Sequence, residues 1–566
     1  MLTFIQWIVD GYTTLLHEIN QQLGNELPDI IIVPVGVGSL AQAVVSHYKS
    51  SRKSPFIVTV EPETAACLYK SLSAGRSVSI STFPTIMAGL RCETVSTIAW
   101  PILQAGVGIA VTVSDFQAHQ AVNYLSSLGI AAGPCGAAPL AALRKLTSAT
   151  SPVLASTATV VLICTEGCRD YVIPKDVSAP NDPVTLTQTL VQIDSSNPGL
   201  SKAPGAGETI IASYIAAWLE HRNIETHWIE AADAAGRSRP SIIGVVRGSG
   251  GGKSIMLNGH IDTVSTASYS PDDNPTSGRV EDGKLFGRGA ADMKSGVAAA
   301  MIALLRAKDA GLRGDVILAA VADEENTSIG TEAVLRAGWR ADGAVVSEPT
   351  DHAALVGHVG FIWVEVDIIG LAAHGSMPHL GIDAITKTGY FLVALEKHNE
   401  ELLKGPKNPL LGTGSLHAGL IIGGEEPSSY PAKCTITVER RTIRGDTPDS
   451  ILFEINSILQ NVAETVKDFK YAPPRVTFSR SPYEADLTHP FVASALKSIE
   501  NVLGKPPVVA AMTAWTDCAL LAEQGIPSVL FGVEGGGLHS AKEWAVVESV
   551  SKVADVLTDI AFDFCR

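Results

Sequence analysis

The pattern of apolar and polar positions divides the chain into regions that differ in their predicted secondary structure. From residue 1 to about 172, short apolar runs such as "IIIVPV", "FIVTV" and "TVVLI" alternate with Ala-rich amphipathic segments. Short apolar runs bounded by turn residues predict buried strands, and helical periodicity predicts helices that cover them. We therefore expect a twisted sheet with covering helices here. The polar, Pro-rich stretch around 173–183 that follows predicts a linker.

Beyond the linker, strands and long helices alternate. Strand patterns recur at "SIMLNGH", "DVILAAVADEE", "GAVVSEP" and "SVLFGVEGG", which predicts an α/β domain with a mainly parallel sheet. Between them, "HVGFIWVEVDIIG" and "KCTITVERRTI" alternate like antiparallel strands and flank a helical segment, which predicts a smaller inserted α+β domain. The predicted division is an N-terminal domain (1–172), a linker (173–183), a catalytic domain (184–350 and 466–566) and a lid domain (351–465).

Length, charge and cysteine usage narrow the class of protein. A chain of 566 residues is too long for one hydrophobic core, and its net charge of −16 argues against a general nucleic-acid binder. The eight Cys residues have no disulfide or zinc-ribbon spacing, which favours free thiols in a reducing compartment. The apolar runs are far shorter than the roughly 20 residues of a membrane span, and no basic signal-peptide region precedes them. We expect a cytoplasmic protein that binds neither nucleic acid nor membrane.

A Gly-rich motif follows the first predicted strand. Gly36, Gly38 and Ala41 have the G-x-G-x-x-A spacing of a dinucleotide fingerprint, and Glu61 ends the next strand. A Gly loop at a helix N-terminus can equally bind another phosphate, or none.

Three neighbouring segments change this interpretation. "VTVEPETAACLYKSLSAG", "TIMAGLRCETVSTIAW" and "GIAAGPCGAAPLAALRKL" resemble the C-terminal part of diaminopropionate ammonia-lyase and related fold-type II pyridoxal-phosphate enzymes. The resemblance implies that Gly36 and Gly38 lie near the cofactor and that Cys135 faces its pyridine nitrogen. However, the Schiff-base lysine of that family, in a Ser-Phe-Lys context, has no counterpart here. We therefore expect no pyridoxal phosphate, and a domain that is vestigial, a scaffold, or without the first half of the family's fold.

Candidate metal ligands follow the predicted strands of the second domain. His260 and Asp262 are two residues apart at the end of an apolar strand. In an extended segment both side chains face the same way, so Asp262 can hydrogen-bond one imidazole nitrogen while the other binds metal. Asp292 lies in a Gly/Ala loop before a predicted helix, where it could instead be only an N-cap.

The remaining candidates are Glu324, Glu325, Glu348 and His539, which also follow strand patterns. Ligands of open α/β sheets gather outside the carboxyl ends of the strands, so we expect these side chains to converge on one crevice. Two histidines and several carboxylates suit zinc or a similar divalent ion, and a bridging Asp between two ions would form a co-catalytic pair.

In order along the chain, "HID", "GRGAADMKSG", "DEEN", "SEPT" and "GGGLHSAKEW" resemble the motifs of the acetylornithine deacetylase, succinyl-diaminopimelate desuccinylase and carboxypeptidase G family of dinuclear zinc hydrolases, over about residues 184–566. Cobalt and manganese are the alternative ions, and Asp323 has no ligand counterpart in the family. The resemblance implies these roles: His260, Asp292 and Glu348 bind one zinc; Asp292, Glu325 and His539 bind the second; Asp262 orients His260; Glu324 is the general base.

The inserted domain resembles the lid and dimerisation domain of the same family. "GLAAHGSMPHLGIDAI" implies that His374 reaches an active site and donates a hydrogen bond to the oxyanion, and that the protein forms a homodimer through this domain. "TVERRTIRGDTP" implies that Arg441, rather than Arg440, holds the substrate carboxylate, for which a guanidinium fork is well suited. Where many members have an Asn, this chain has Ser428 and Ser429, and Ser429 is our candidate substrate contact.

The predicted reaction is hydrolysis of a linear amide bond in an N-acyl amino acid. Two ions would lower the pKa of a bridging water, and Glu324 would pass its proton to the departing nitrogen. A dipeptidase or carboxypeptidase of the same family is the nearest alternative, with a short peptide as its substrate. A pyridoxal-phosphate ammonia-lyase and a non-catalytic binding protein are the alternatives from other classes.

Overall fold

The computed structural model describes residues 2–24, 26–49, 54–148, 157–200 and 205–566. The chain divides into an N-terminal unit, Met1–Val246 with Thr276–Gly278, and a C-terminal unit, Arg247–Pro275 with Arg279–Arg566. Within the described ranges, no helix combines the length and the apolar character needed to cross a membrane.

The elements of the N-terminal unit are the helices α1 (Leu2–Gly11), α2 (Thr13–Gln22), α3 (Ser39–Tyr48), α4 (Cys67–Ala74), α5 (Ala99–Gly106), α6 (Asp115–Ser127), α7 (Pro134–Ser148), α8 (Pro183–Val191) and α9 (Thr209–His221), and the strands β1 (Ile30–Pro34), β2 (Phe56–Pro62), β3 (Ile109–Val113), β4 (Val160–Leu162), β5 (Glu225–Ile229) and β6 (Ser241–Val246).

Four of these strands form a parallel sheet in the order β3-β2-β1-β4. Successive residues of β1 point to opposite faces, so Ile31 and Val33 join one buried cluster while Ile30 and Ile32 join another. The sheet is therefore covered by apolar side chains on both faces, which explains why its strands read as continuous apolar runs. The predicted sheet with covering helices is confirmed.

The elements of the C-terminal unit, in chain order, are β7 (Ile255–His260), β8 (Arg279–Glu281), β9 (Lys284–Phe286), α10 (Lys294–Ala307), β10 (Val316–Val321), α11 (Ile329–Arg336), β11 (Gly343–Val346), β12 (Ala354–His358), β13 (Gly360–Ile369), α12 (Ala384–Lys404), β14 (Ser415–Gly423), β15 (Lys433–Thr442), α13 (Pro448–Thr465), β16 (Lys470–Tyr471), β17 (Arg475–Arg480), β18 (Tyr483–Glu484), α14 (Pro490–Leu503), β19 (Val509–Met512), α15 (Cys518–Glu523), β20 (Ser528–Leu530), β21 (Gly535–Gly536), β22 (Trp544–Val546) and α16 (Val547–Phe564).

The main sheet of this unit is centred on β7. Strands β10 and β11 pair with β7 on either side, β20 pairs with β11, and all four run parallel. Beyond β20 lies β12, which also pairs with β18 and β19. The carboxyl ends of four adjacent parallel strands therefore meet at one edge, as the predicted α/β domain requires.

The inserted domain has an antiparallel sheet in the order β14-β15-β13-β16, with β17 also paired to β13. Strands β13 and β15 pair without interruption, from Gly360 opposite Thr442 to Ile369 opposite Lys433. The inward-facing residues of the sheet form a buried cluster with side chains of α12 and α13, such as Phe391 and Ile455. The predicted fold class, an N-terminal pyridoxal-phosphate-enzyme-like domain followed by an α/β catalytic domain with an α+β lid, is confirmed.

Candidate metal centre

The predicted metal ligands lie at the carboxyl ends of neighbouring strands. His260 is the last residue of β7, Glu324 and Glu325 lie in the turn after β10, and Glu348 lies two residues beyond β11. Asp292 lies in the loop before α10. Because β7, β10 and β11 are adjacent and parallel, these residues reach the same edge of the sheet.

His260 is surrounded by carboxylates. Its Nε2 lies 3.0 Å from Asp292 Oδ1, 3.7 Å from Glu348 Oε1 and 3.9 Å from Glu324 Oε2. The imidazole is almost completely buried, with 1% of its side chain exposed. Its Nδ1 lies 3.0 Å from the carbonyl oxygen of Asp262, so Nδ1 carries a hydrogen and Nε2 is the nitrogen that faces the carboxylates.

His539 approaches the same cluster from the loop between β21 and β22. Its Nε2 lies 3.1 Å from Glu325 Oε2 and 3.4 Å from Asp292 Oδ2. Asp292 therefore presents one oxygen to His260 and the other to His539, which is the arrangement of a carboxylate that bridges two cations.

Like charges at short range shift the pKa values of the cluster. Burial raises the pKa of Glu324 and Glu348 well above the ordinary value, and the charge of Glu348 raises that of Glu324 further. Burial and the charge of Asp292 raise the pKa of Glu325 to about 7. Hydrogen bonds to Asp292 and Glu325 raise the pKa of His539 to about 10. In the absence of a cation, these raised pKa values mean that carboxyl groups of the cluster and the imidazole of His539 hold protons. A bound cation would displace those protons.

The donor set fits a pair of divalent ions. One ligand atom from each of His260, Asp292 and Glu325 lies within 4.8 Å of the others, and the same holds for His260, Glu324 and Glu348. Imidazole nitrogens and carboxylate oxygens are the usual ligands of catalytic zinc. Glu324 lies among the potential ligands, so distance alone does not separate the predicted base from the predicted ligands.

Two further acids next to the predicted ligands, Asp262 and Asp323, form hydrogen bonds within the neighbouring loops. Asp262 was expected to orient His260 through its carboxylate, but that oxygen lies 3.6 Å from His260 Nδ1. Its two carboxylate oxygens instead accept hydrogen bonds from the backbone amides of Glu324 and Glu325, at 3.1 and 3.3 Å. Asp323 is fully buried, and its carboxylate accepts a hydrogen bond from the Thr327 hydroxyl. Both acids thus hold the turn that carries the two glutamates.

The lid residues form a separate group. His374 and Ser429 face each other in an antiparallel bridge, and His374 Nδ1 lies 2.8 Å from the Ser376 hydroxyl. Arg441 donates through Nε to Glu439 at 2.7 Å and stacks 5.4 Å from the Phe361 ring centre. No carboxylate of the described chain lies within 4.0 Å of His374, so this chain does not bring His374 into its own ligand cluster.

Three buried residues near the ligands were missed by the sequence analysis. Asp517 is buried against the cluster, and burial raises its pKa to about 6. Arg288 and Glu543 form an ion pair of 2.8 Å beside the Asp292 loop. Arg288 and Glu543 lie inside the motifs "GRGAADMKSG" and "GGGLHSAKEW", so these motifs could have identified them as candidate site residues. Asp517, in "TAWTDC", had no such signal.

The Gly-rich motif of the N-terminal unit is filled by protein atoms. A Cβ on Gly36 would lie 3.1 Å from the Gly89 carbonyl oxygen, and one on Gly38 would lie 2.9 Å from Leu103. Gly38 has φ of 97° and precedes α3, so it serves a tight strand-to-helix connection. These glycines are explained by close packing.

The residues around Cys135 do not fit pyridoxal phosphate either. The Cys135 amide donates to Glu166 at 2.5 Å, and burial raises the pKa of its thiol to about 11. The amine of Lys145 is held by Glu63 at 3.1 Å. The amine of Lys70 is likewise paired with an acid, and an imine-forming lysine would need an unpaired amine facing the cofactor.

A mainly parallel α/β sheet with two histidines and four carboxylates at its carboxyl edge, joined to an antiparallel lid, defines a metal-dependent hydrolase. The chain belongs to the peptidase family M20/M25/M40, whose model matches residues 256–563. Residues 4–166 match the model described as pyridoxal-phosphate dependent enzyme.

Similar proteins cover about two thirds of the chain. Acetylornithine deacetylase of Myxococcus xanthus is 28% identical over 364 residues, which is 63% of this chain and 92% of the relative. A probable succinyl-diaminopimelate desuccinylase of Staphylococcus epidermidis is 23% identical over 415 residues, or 68% and 98%. Among solved structures, a tripeptidase of Staphylococcus aureus has a TM-score of 0.55 at 20% identity, covering 68% of this chain and 98% of that one. Human carnosine dipeptidase 1 has a TM-score of 0.53 at 18% identity, covering 67% and 96%.

Proposed function

We propose that this chain hydrolyses the amide bond of an N-acyl amino acid, as a deacetylase or desuccinylase does. The observation that carries the proposal is the convergence of His260, Asp292 and Glu348 on one side, and Asp292, Glu325 and His539 on the other, at one edge of the sheet. The similarity to relatives named for deacetylation and desuccinylation supports the substrate class.

We propose that these two sets of residues each hold one divalent ion, with zinc first and cobalt or manganese as alternatives. Ions bound there would polarise the substrate carbonyl and lower the pKa of a nucleophilic water. Glu324 would accept the proton of that water and deliver it to the amide nitrogen. Its backbone amide is fixed by Asp262, which limits the positions that its carboxyl group can reach.

We propose that Arg441 binds the substrate carboxylate. Arg441 uses only Nε for Glu439, and among the described residues its two η nitrogens make no hydrogen bond. Arg440, in contrast, is 4% exposed and is engaged by Glu454 and Asp446. A planar fork with open donors suits a carboxylate, whereas a buried guanidinium already paired with two acids has a structural role. Ser429 is the proposed neighbouring contact.

We propose that His374 acts in a homodimer formed through the lid, where it would stabilise the oxyanion of a partner's active site. The outer strand β14 supports this, because Leu420, Ile421 and Ile422 leave more than half of their surface exposed on an unpaired edge. An exposed apolar edge strand favours pairing with another strand. The proposed division keeps the N-terminal domain 1–172, the linker 173–183 and a catalytic domain from 184 that the lid interrupts. The expected lid boundaries, 351–465, move to 360–480, because β12 pairs in the main sheet and β16 and β17 pair with β13.

The test is the metal content of purified protein combined with the rate constants kcat/KM for a substrate panel. N-acetyl and N-succinyl amino acids form one group and dipeptides and tripeptides the other. We expect two divalent ions per chain and the highest kcat/KM for an N-acyl amino acid. A higher kcat/KM for peptides would favour the second candidate, a peptidase, to which the family model and the names of the similar solved structures point. Protein with bound ions but no hydrolysis of either group would contradict both.

A further inference from the structure

Arg288 and Glu543 form an ion pair that is buried almost completely beside the metal ligands. Their side chains are 3% and 1% exposed, and Arg288 Nη1 lies 2.8 Å from Glu543 Oε2. Burying two charges costs free energy that the pair itself seldom returns in full, so such pairs need a further explanation. Neither residue is among the potential metal ligands, and both bind the surrounding loops instead.

The carboxylate of Glu543 is surrounded by the backbone of the Asp292 loop. Its Oε1 accepts hydrogen bonds from the amides of Ala291 and Asp292, at 2.9 and 3.0 Å. Its Oε2 accepts one from the amide of Gly289 at 3.0 Å. One side chain therefore fixes the backbone from which the bridging carboxylate extends.

The guanidinium of Arg288 joins two more loops to this one. Its Nη2 donates to the Ser540 carbonyl oxygen at 2.9 Å, directly after His539. It also donates to the Ser268 hydroxyl at 3.0 Å and the Ser265 carbonyl oxygen at 3.3 Å, in the loop that follows His260 and Asp262. The pair thus connects the loops that carry both histidines and the shared carboxylate.

We propose that Arg288 and Glu543 are positioning residues that set the spacing of the two metal sites by holding these three loops together. The proposal rests on the proposed function, because it assumes that Asp292 and His539 bind ions. It assigns the pair an effect on metal affinity through Asp292 and His539. Residues that orient metal ligands typically change metal affinity by about 10- to 100-fold when they are replaced.

The first test is Glu543→Gln in the full-length chain. Gln has nearly the same volume, but its amide nitrogen cannot accept the hydrogen bonds that one carboxylate oxygen accepts now. We expect about 10- to 100-fold weaker binding of Zn²⁺ and Co²⁺ in competition with a chromophoric chelator. The visible absorption spectrum of the Co²⁺ protein should also change, because the ligand geometry changes.

The matched control is Glu208→Gln, which alters another fully buried ion pair, Glu208 with Arg239 in the N-terminal unit. We expect it to lower the thermal unfolding temperature and to leave the metal affinity unchanged. Arg288→Lys is the second variant, because it keeps the charge but loses the fork that reaches three loops. If the pair acts as one unit, Arg288→Met combined with Glu543→Gln should lower the affinity little further than Glu543→Gln alone.

The outcomes separate this inference from the proposed function. A wild-type chain that binds no divalent ion would contradict the proposed function. If the wild-type chain binds two ions and Glu543→Gln binds them with an affinity within twofold of the wild-type value, only the positioning role is overturned. An equal loss of affinity in Glu208→Gln would also overturn it, because the effect would then be general destabilisation. If Glu543→Gln does not fold, Arg288→Lys is judged by the same twofold limit.

Discussion

The N-terminal sheet and the main C-terminal sheet both place acids where parallel strands end, but those acids have different partners. At the end of β2, Glu61 accepts two hydrogen bonds of 2.7 Å from backbone amides at the start of α4. Glu63 is paired with Lys145 at 3.1 Å and His221 at 2.8 Å. Although burial opposes its charge, these partners hold the pKa of Glu63 below its ordinary value.

The acids of the C-terminal sheet face one another instead. Among the described residues, His260 is the only basic side chain within 4.0 Å of the carboxyl groups of Glu324 and Glu348, and His539 is the only one within that distance of Glu325. The comparison shows that an acid at a strand end does not by itself indicate a metal site. The indication is a group of buried acids whose charge the neighbouring side chains do not neutralise.

Removing the ions should have the largest effect. If cations neutralise the C-terminal cluster, dialysis against a chelator should lower kcat/KM by at least about 10³-fold, since Lewis-acid stabilisation is worth several kcal/mol and each 1.4 kcal/mol is tenfold. Adding Zn²⁺ should restore the rate. Full activity in protein that elemental analysis shows to be metal-free would mean that cations do not neutralise the acids of the C-terminal sheet. The proposed difference between the two sheets would then be wrong.

Two neighbouring glutamates sharpen the comparison within the C-terminal cluster. We expect Glu324→Gln to lower kcat by about 10² to 10⁴-fold with both ions retained, because it loses only the proton acceptor. Glu325→Gln should lower the metal content as well, because it would remove a proposed ligand of the ion next to His539. The paired measurements are kcat and the metal-to-protein ratio. Loss of metal in Glu324→Gln would make Glu324 a ligand.

Metal affinity should depend on pH. In the metal-free protein, hydrogen bonds to acids raise the pKa of His539 to about 10, and burial raises that of Glu325 to about 7. A metal ion must displace these protons, so affinity should rise with pH, by about tenfold per pH unit for each proton released. Titration calorimetry at pH 6 to 8, in buffers with different ionisation enthalpies, would count those protons. Affinity that stays constant over this range would mean that no proton is displaced.

A substitution in the N-terminal unit should have the smallest effect. Glu63→Gln leaves Lys145 and His221 without their counter-charge, so we expect it to lower the free energy of unfolding by about 1 to 2 kcal/mol. Metal content should not change. The measurement is urea-induced unfolding, with Glu18→Gln, an exposed acid on α2, as the control. A loss of bound metal in Glu63→Gln would show that the two acid groups are not independent.

The sequence was sufficient for features that depend on local pattern. Apolar runs predicted β7, β10, β11 and β20, and the position of polar residues directly after them predicted where His260 and Glu348 would meet. Alternating residues predicted the strands β13 and β15 of the lid. These features follow from strand periodicity and from the parallel arrangement of neighbouring strands.

Contacts between distant parts of the chain could not be predicted in this way. Glu543 binds the amide of Asp292 across 251 residues, and no periodicity relates the two positions. The carboxylate of Asp262 was predicted to bind its near neighbour His260, yet it binds amides 62 and 63 residues away. Buried carboxylates satisfy the backbone donors that the tertiary fold brings to them, and those donors become visible only in three dimensions.

The two chain segments that connect the lid to the main sheet lie side by side. The chain enters the lid after His358, which pairs with Tyr483, and leaves it at Arg480, which pairs with Phe361. Entry and exit therefore form one two-stranded ribbon, whose neighbouring Cα atoms are about 4.5 to 5.5 Å apart. A short turn could close that gap, so recombination could insert, exchange or delete the whole lid at a single point while the parallel sheet stays continuous.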